Sequence, residues 1–172
     1  LIQTGGVYER GGDRVNRTEA EAVANEVVRR LQDERLRRQS LGIVTFSVVQ
    51  QVLIEEYIAD KVAASEELET ALQELPEPLF VKNLENVQGD ERDVIIFSIG
   101  YGPDEKGRLT MNFGPINQEG GWRRLNVAVT RSRLEMMVFT NIIPSKFIVS
   151  EAQPRGVRDL KAFLEFAEKG SR

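Results

Sequence analysis

Arginine is the residue type with the clearest chemical potential in this sequence. Between Gly120 and Arg133 the chain carries no acidic residue and four arginines, namely Arg123, Arg124, Arg131 and Arg133. The chain has no cysteine and no histidine, which excludes thiolate nucleophiles, histidine bases and the usual zinc ligands. The chemistry that remains is carboxylate chemistry, or stabilisation of a phosphate transition state by arginines and backbone amides.

The composition is that of an ordinary globular protein, with 172 residues, 41% hydrophobic and 29% charged. We therefore expect one domain over residues 1–172. The net charge of −4 argues against a general nucleic-acid binder, although the arginine-rich segment allows a local basic patch. The sequence shows no apolar run long enough for a membrane span and no basic-then-apolar leader. We interpret the chain as a piece of a larger cytoplasmic protein.

Apolar periodicity predicts strands that alternate with helices, which implies an α/β fold with a parallel sheet. Asn16 and Glu19 have the form of a helix-capping box, to which we assign no chemistry. After the helix that follows this box, further helices are predicted over 48–58, 65–75, 122–132 and 156–170. Strands are predicted within 1–14 and over 41–46, 79–81, 94–99 and 134–140, with a small hairpin around 109–112.

No phosphate-binding loop of the form GxxxxGK[ST] occurs in the chain. Four segments nevertheless resemble, in the right order, the second RecA-like domain of superfamily-one helicases in the nonsense-decay-type branch. The segment that opens that domain is matched by RVNRTEA (14–20), and motif four by LGIVTF (41–46) with Gln50 and Gln51. Motif five is matched by NVQGDERDVI (86–95), and motif six by RRLNVAVTRSR (123–133). The residues of these segments are most similar to those of large bacterial helicase-like proteins.

The resemblance implies a RecA-like parallel sheet with helices on both faces and a motor that binds ATP between two such domains. The first domain would supply the P-loop and most of the Mg²⁺ and ATP contacts. The second would present Arg131 across the cleft, where negative charge develops during phosphoryl transfer. The alternative is that Arg131 is a solvated arginine near a helix C-terminus, stabilised by the helix dipole.

The same resemblance assigns further nucleotide contacts to Gln88, Gly89, Glu91, Gln51 and Arg124. Glu91 would lie close to the ribose, and its alternative is a loop acid paired with Arg92. We expect Gly89 to adopt a φ that a side chain would disfavour. Relatives place a second arginine where this chain has Gln51, so a mechanism with two arginines is in doubt. Arg124, with Asn126, is as compatible with an ordinary surface position.

Nucleic acid would run across the top of both domains, held mainly through its phosphates. The resemblance suggests contacts from Thr45, Ser47, Lys82 and Asn83, although each taken singly is more often just a polar residue at a strand end. The predicted partners are single-stranded DNA or RNA and the first RecA-like domain of the same chain. The predicted function is the second motor domain of an ATP-dependent helicase or translocase, inactive in isolation. The alternative is a non-catalytic helicase-like binding module.

Overall fold

A computed structural model describes residues 1–170, which form five strands and five α-helices. The strands are β1 (Ile2–Gln3), β2 (Leu41–Thr45), β3 (Phe80–Asn83), β4 (Arg92–Ser98) and β5 (Ser132–Thr140). The helices are α1 (Arg17–Gln32), α2 (Val48–Ala63), α3 (Glu66–Gln73), α4 (Gly121–Val129) and α5 (Arg155–Lys169).

The strands form one sheet in the order β1-β5-β4-β2-β3, and every pairing is parallel. β4 lies in the middle and is buried from Val94 to Ser98, as expected for an apolar strand covered on both faces. Along β4 the side chains alternate between the two layers of the core. Val94 and Ile96 pack with α1, α2 and α3, whereas Ile95 and Phe97 pack with α4 and α5. The predicted α/β RecA-like architecture is confirmed.

The connection from β3 to β4 contains no helix. Residues 84–91 instead cross the sheet as an irregular segment, with Leu84 and Val87 inserted into the core layer that α4 and α5 also cover. Two apolar anchors fix this segment, so the polar residues between and after them stay at the surface. The motif-five residues are thereby presented on the same face as α4.

Two sequence predictions are wrong in this region. The residues around 109–112 form no hairpin, and a 3₁₀ turn follows at Gly114–Asn117. There Asn117 accepts from the amide of Phe113 and donates to the carbonyl of Met111, which holds the loop without strand pairing. The predicted helix over 122–132 ends at Val129, because Ser132 already pairs with Arg92 in the sheet.

Candidate functional site

Two ion pairs join the segment 84–91 to α4 and to the turn that follows α4. Arg124 lies 3.9 Å from Glu85, and Arg131 lies 3.7 Å from Glu91. The amide of Arg92 also donates to the carbonyl of Arg131 over 3.1 Å. The structure thus brings the motif-five and motif-six residues together on one surface.

Arg131 lies between α4 and β5 rather than on a helix, which corrects the predicted helical position. Its Nε donates to the carbonyl of Val127 over 2.9 Å, and its Nη2 donates to Thr130 Oγ1 over 3.1 Å. Its side chain is 20% exposed. The guanidinium is therefore held from behind by the last turn of α4, while Nη1 faces the exposed carboxylate of Glu91.

Gln88 and Gly89 form the exposed turn in the middle of the segment. Gly89 has a φ of +87°, and a Cβ built there would meet no atom within 4 Å. The expectation that this position needs a left-handed backbone is confirmed. Since the surrounding space is open, the backbone conformation alone explains the glycine, and the turn is free to approach a ligand closely.

The alternative proposed for Glu91, an ion pair with Arg92, does not form. The guanidinium of Arg92 donates to the carbonyl oxygens of Glu91 and Pro78 and lies 4.9 Å from the centre of the Phe80 ring. The Glu91 carboxylate is instead 54% exposed beside Arg131. Glu91 and Glu85 are thus two exposed acids on the same surface as Arg131 and Arg124.

Gln51 lies in the first turn of α2, away from Arg131 in the hydrogen-bond network. Its Oε1 accepts from Asn83 over 3.2 Å, and its Nε2 donates to Glu55 over 3.2 Å. Asn83 in turn accepts from the amide of Glu85, the residue paired with Arg124. Gln51 is thus connected to the segment 84–91 through the end of β3, not by direct contact with Arg131.

The four predicted nucleic-acid contacts lie at the carboxyl ends of β2 and β3, as expected. Thr45 is completely buried and donates to the carbonyl of Ser47, and Asn83 is only 5% exposed. Both side chains are used within the protein, so neither offers free surface to a phosphate in this conformation. Ser47 caps α2, and Lys82 forms a partly exposed ion pair with Asp90 at 2.6 Å.

The predicted basic patch is largely neutralised by acids from the residues before β3, from the segment 84–91 and from β4. Besides the two pairs described above, Arg133 pairs with Glu77 and Asp93. Arg123 lies against the ring of Trp122, with its guanidinium carbon 5.1 Å from the ring centre. The arginine-rich stretch is therefore a surface of paired charges, rather than an open field that would attract a polyanion.

A buried polar ring lies below the carboxyl edge of the sheet, and the sequence analysis missed it. Asn16 caps α1 by accepting from the amide of Glu19, as predicted. The Glu19 side chain does not complete a capping box, however, because its Oε1 accepts from Ser98 Oγ and from the amide of Gly100, both over 2.7 Å. The acceptor that the amide of Asn16 would have had in a capping box is supplied instead by Gln50, whose Oε1 accepts from that amide over 2.9 Å.

Gln50 closes this ring. Its Nε2 donates to the carbonyl of Asn16 over 3.1 Å and to Ser98 Oγ over 3.3 Å. Burial raises the pKa of Glu19 to about 8, although hydrogen bonds from Ser98 and the backbone oppose the shift. The available signals were a serine at the end of an apolar strand and a glutamine on the apolar face of α2. Neither signal identifies partners that lie far away in sequence.

Comparison with known proteins assigns the chain to a family. The sequence pattern of the AAA domain family AAA_12 matches residues 3–142, which includes all the segments described above. The chain belongs to this family. The match covers the strands β2 to β5 and the helices α1 to α4, so the AAA domain includes the elements that carry the candidate site.

Two curated relatives of this AAA domain are named as helicases. The uncharacterized ATP-dependent helicase MG140 of Mycoplasma genitalium is 43% identical over 124 residues, covering 67% of this chain and 10% of the relative. Its homolog in Mycoplasma pneumoniae is 38% identical over 159 residues, covering 84% of this chain and 13% of the relative. The chain therefore spans about a tenth of the length of these relatives. Together these matches place it in a helicase-like superfamily.

Within the described residues no helix is both long and apolar enough to cross a membrane.

Proposed function

We propose that this domain is the second RecA-like domain of an ATP-dependent helicase or translocase and that Arg131 acts as its arginine finger. The observation that carries the proposal is the joining of the segment 84–91 to α4 by the pairs Glu85–Arg124 and Glu91–Arg131. One surface thereby holds two guanidiniums, two exposed carboxylates and an exposed glycine turn. These groups suit the phosphates and the ribose hydroxyls of a nucleotide.

The donor set fits one side of a nucleotide, not a complete site. No phosphate-binding loop occurs in the sequence, so a second domain must hold the triphosphate and Mg²⁺. When bound, ATP with Mg²⁺ supplies the phosphoryl group whose transfer drives the motor. Arg131 then has a single task, which is to place a planar, permanently charged donor group beside the phosphate oxygens.

The anchoring of Arg131 supports this role. Nε is held by the carbonyl of Val127 and Nη2 by Thr130 Oγ1, so Nη1 is the guanidinium nitrogen that faces Glu91. A donor fixed in advance stabilises developing charge without reorganisation at the moment of reaction. The pair with Glu91 is long and partly exposed, and such pairs contribute only about 0–1 kcal/mol. Arg131 can therefore exchange Glu91 for a phosphate at little cost.

Single-stranded DNA or RNA is the proposed substrate, and it would bind at the carboxyl edge of β2 and β3. Ser47 and Lys82 are the proposed direct contacts, whereas Thr45 and Asn83 hold the turns that present them. The test of the whole proposal is ATP hydrolysis by a longer chain that joins this domain to a P-loop domain, with and without single-stranded nucleic acid. Hydrolysis that is independent of both Arg131 and nucleic acid would refute it.

A further inference from the structure

The buried ring connects three elements that are far apart in sequence. It contains the first residue before α1 (Asn16), the first turn of α1 (Glu19), the end of β4 (Ser98) and the first turn of α2 (Gln50). All four side chains have 0% exposure. Asn16 Nδ2 and Glu19 Oε2 have no hydrogen-bond partner among the described residues, but each of the four side chains makes at least one hydrogen bond. Because breaking such buried bonds is costly, the ring fixes the relative placement of the two helix starts.

α2 carries functional candidates on both sides of Gln50. Ser47 accepts from the amide of Gln50 and caps the helix, and Gln51 follows with its link to Asn83. Through Gln50 the first turn of α2 is fastened to the backbone of Asn16 by two hydrogen bonds. The position of Ser47 and Gln51 thus depends on a side chain that cannot itself reach solvent.

The backbone at Gly100 packs closely against the side chain of Gln50. Gly100 has a φ of +71°, and a Cβ there would lie 3.1 Å from Cγ of Gln50. The amide of Gly100 donates to Glu19, and the loop that begins at Gly100 leads to α4. The ring therefore contacts both the start of the long loop that leads to motif six and the first turn of α2, which belongs to motif four.

We propose that Glu19, Ser98 and Gln50 are positioning residues that hold the first turn of α2 in place, so that Ser47 and Gln51 meet nucleic acid and nucleotide correctly. This inference rests on the proposed helicase function. Glu19 keeps Ser98 oriented toward Gln50, and Gln50 transmits that constraint to α2. None of the three side chains touches a ligand in this scheme. Their effect on turnover comes through the residues they position.

The activity test uses the longer chain that joins this domain to a P-loop domain. Gln50→Leu keeps the volume of the side chain but removes its hydrogen bonds, and Ser98→Ala removes a single hydroxyl. We expect each to lower the nucleic-acid-stimulated kcat about tenfold or more, since displacement of positioning groups by about 1 Å has effects of this order. We also expect a higher nucleic-acid concentration for half-maximal stimulation. KM for ATP should change far less, because most ATP contacts belong to the other domain.

Two further variants separate positioning from general stabilisation. Glu19→Gln retains an acceptor oxygen for Ser98 and Gly100, so we expect it to keep near wild-type kcat, whereas Glu19→Leu should behave like Gln50→Leu. Gln73→Leu, at an exposed position of α3, is the matched control and should change nothing. Folded variants of Gln50 and Ser98 that melt earlier but keep wild-type kcat and half-stimulation would overturn the proposal.

Hydrogen exchange in the 172-residue chain provides a test that does not depend on activity. In Ser98→Ala the amides of the first turn of α2 should exchange about tenfold faster than in the unmodified chain, because local opening becomes easier. They should be unchanged in Gln73→Leu. Unchanged exchange in Ser98→Ala would reject the positioning role even if the helicase assignment holds. Absence of any nucleic-acid-stimulated hydrolysis in the longer unmodified chain would instead reject the helicase assignment.

Discussion

The guanidinium of Arg131 lies 3.7 Å from the carboxylate of Glu91. The backbone carbonyl of Arg131 also accepts a hydrogen bond from the amide of Arg92, the residue that follows Glu91. The pair combines one exchangeable contact with one fixed contact. The fixed backbone bond keeps the two motifs aligned, whereas the exposed ion pair can open when a ligand offers stronger charge. This division lets Arg131 change partner without any movement of the sheet.

The first prediction concerns Arg131→Ala in a longer chain that includes a P-loop domain. We expect ATP hydrolysis to fall by at least ~10², somewhat below the range for a sole arginine finger, with little change in ATP affinity. The reason is that the arginine contributes more to the transition state than to the ground state. Single-turnover hydrolysis and nucleotide titration measure the two quantities separately.

Two companion variants control for loss of charge. Arg133→Ala removes an arginine from the same stretch, but its partners are Glu77 and Asp93, so we expect a much smaller loss. Arg131→Lys should recover little activity, because an ammonium group lacks the planar fork of the guanidinium. Equal and small losses in both alanine variants would mean that Arg131 is not the catalytic arginine.

The second prediction is that the 172-residue chain alone hydrolyses no ATP and binds nucleotide weakly. The chain lacks a phosphate-binding loop, and the arginines on its candidate surface are already paired with acids. Phosphate release and fluorescent-nucleotide binding test this expectation. Hydrolysis well above that of a mock preparation would contradict it.

The third prediction is weak, salt-dependent binding of single-stranded nucleic acid. If Lys82 contacts one phosphate, Lys82→Ala should reduce the slope of log K against log salt by about 0.7, the contribution of one phosphate on a single strand. Lys169→Ala, at the exposed end of α5, should leave the slope unchanged. Anisotropy titrations over a salt series measure this difference, and equal slopes for the three proteins would remove Lys82 from the track.

The fourth prediction follows from Glu19, whose pKa is raised by burial from 4.5 to about 8. The unfolded chain loses this proton near pH 4.5, while the folded chain retains it until about pH 8. The contribution of Glu19 to stability is therefore complete below pH 4.5 and is lost as the pH rises toward 8. A shift of this size corresponds to on the order of 4–5 kcal/mol.

Glu19→Gln removes that titration while preserving an acceptor. Urea unfolding across this pH range should show the variant gaining stability relative to the unmodified chain as the pH rises, and a constant difference above about pH 8. Parallel curves for the two proteins would show that Glu19 ionises normally in the fold.

The fifth prediction concerns the turn at Gly89. Gly89→Ala should lower the free energy of unfolding by about 1–2 kcal/mol, because a Cβ disfavours a left-handed backbone. Gly11→Ala is the matched control, since it also has open space around the added Cβ but no positive φ. The free energies of unfolding of the two variants should differ only by the cost of placing an alanine in a left-handed backbone conformation. Similar free energies of unfolding would show that the turn can readjust.

The sequence predicts the parts of this protein that depend on local pattern. The alternation of strands and helices, the cap at Asn16 and the positive φ at Gly89 all follow from residue type and spacing. The end of α4 was misplaced because pairing of Ser132 with Arg92, forty residues away, competes with helix continuation.

The buried ring could not be predicted from the sequence, because its residues lie far apart along the chain. Glu19 and Ser98 are separated by 79 positions, and Glu19 looked like an ordinary helix-start acid. Gln50 is likewise distant in sequence from Asn16, yet it binds the Asn16 amide that Glu19 would bind in the expected capping box. In each case a partner distant in sequence replaced the local one that the pattern suggested.

The short edge strand β3 has a further consequence for how this domain meets other chains. On one side it pairs with β2, and its other side has no strand partner within residues 1–170. Pro76 and Pro78 precede it, Lys82 lies within it, and the Arg92 guanidinium covers the ring of Phe80. Prolines and charges are features that prevent a foreign strand from extending a sheet. Association at this edge therefore has to proceed through side chains and loops, and this edge is protected against pairing with a strand of another chain.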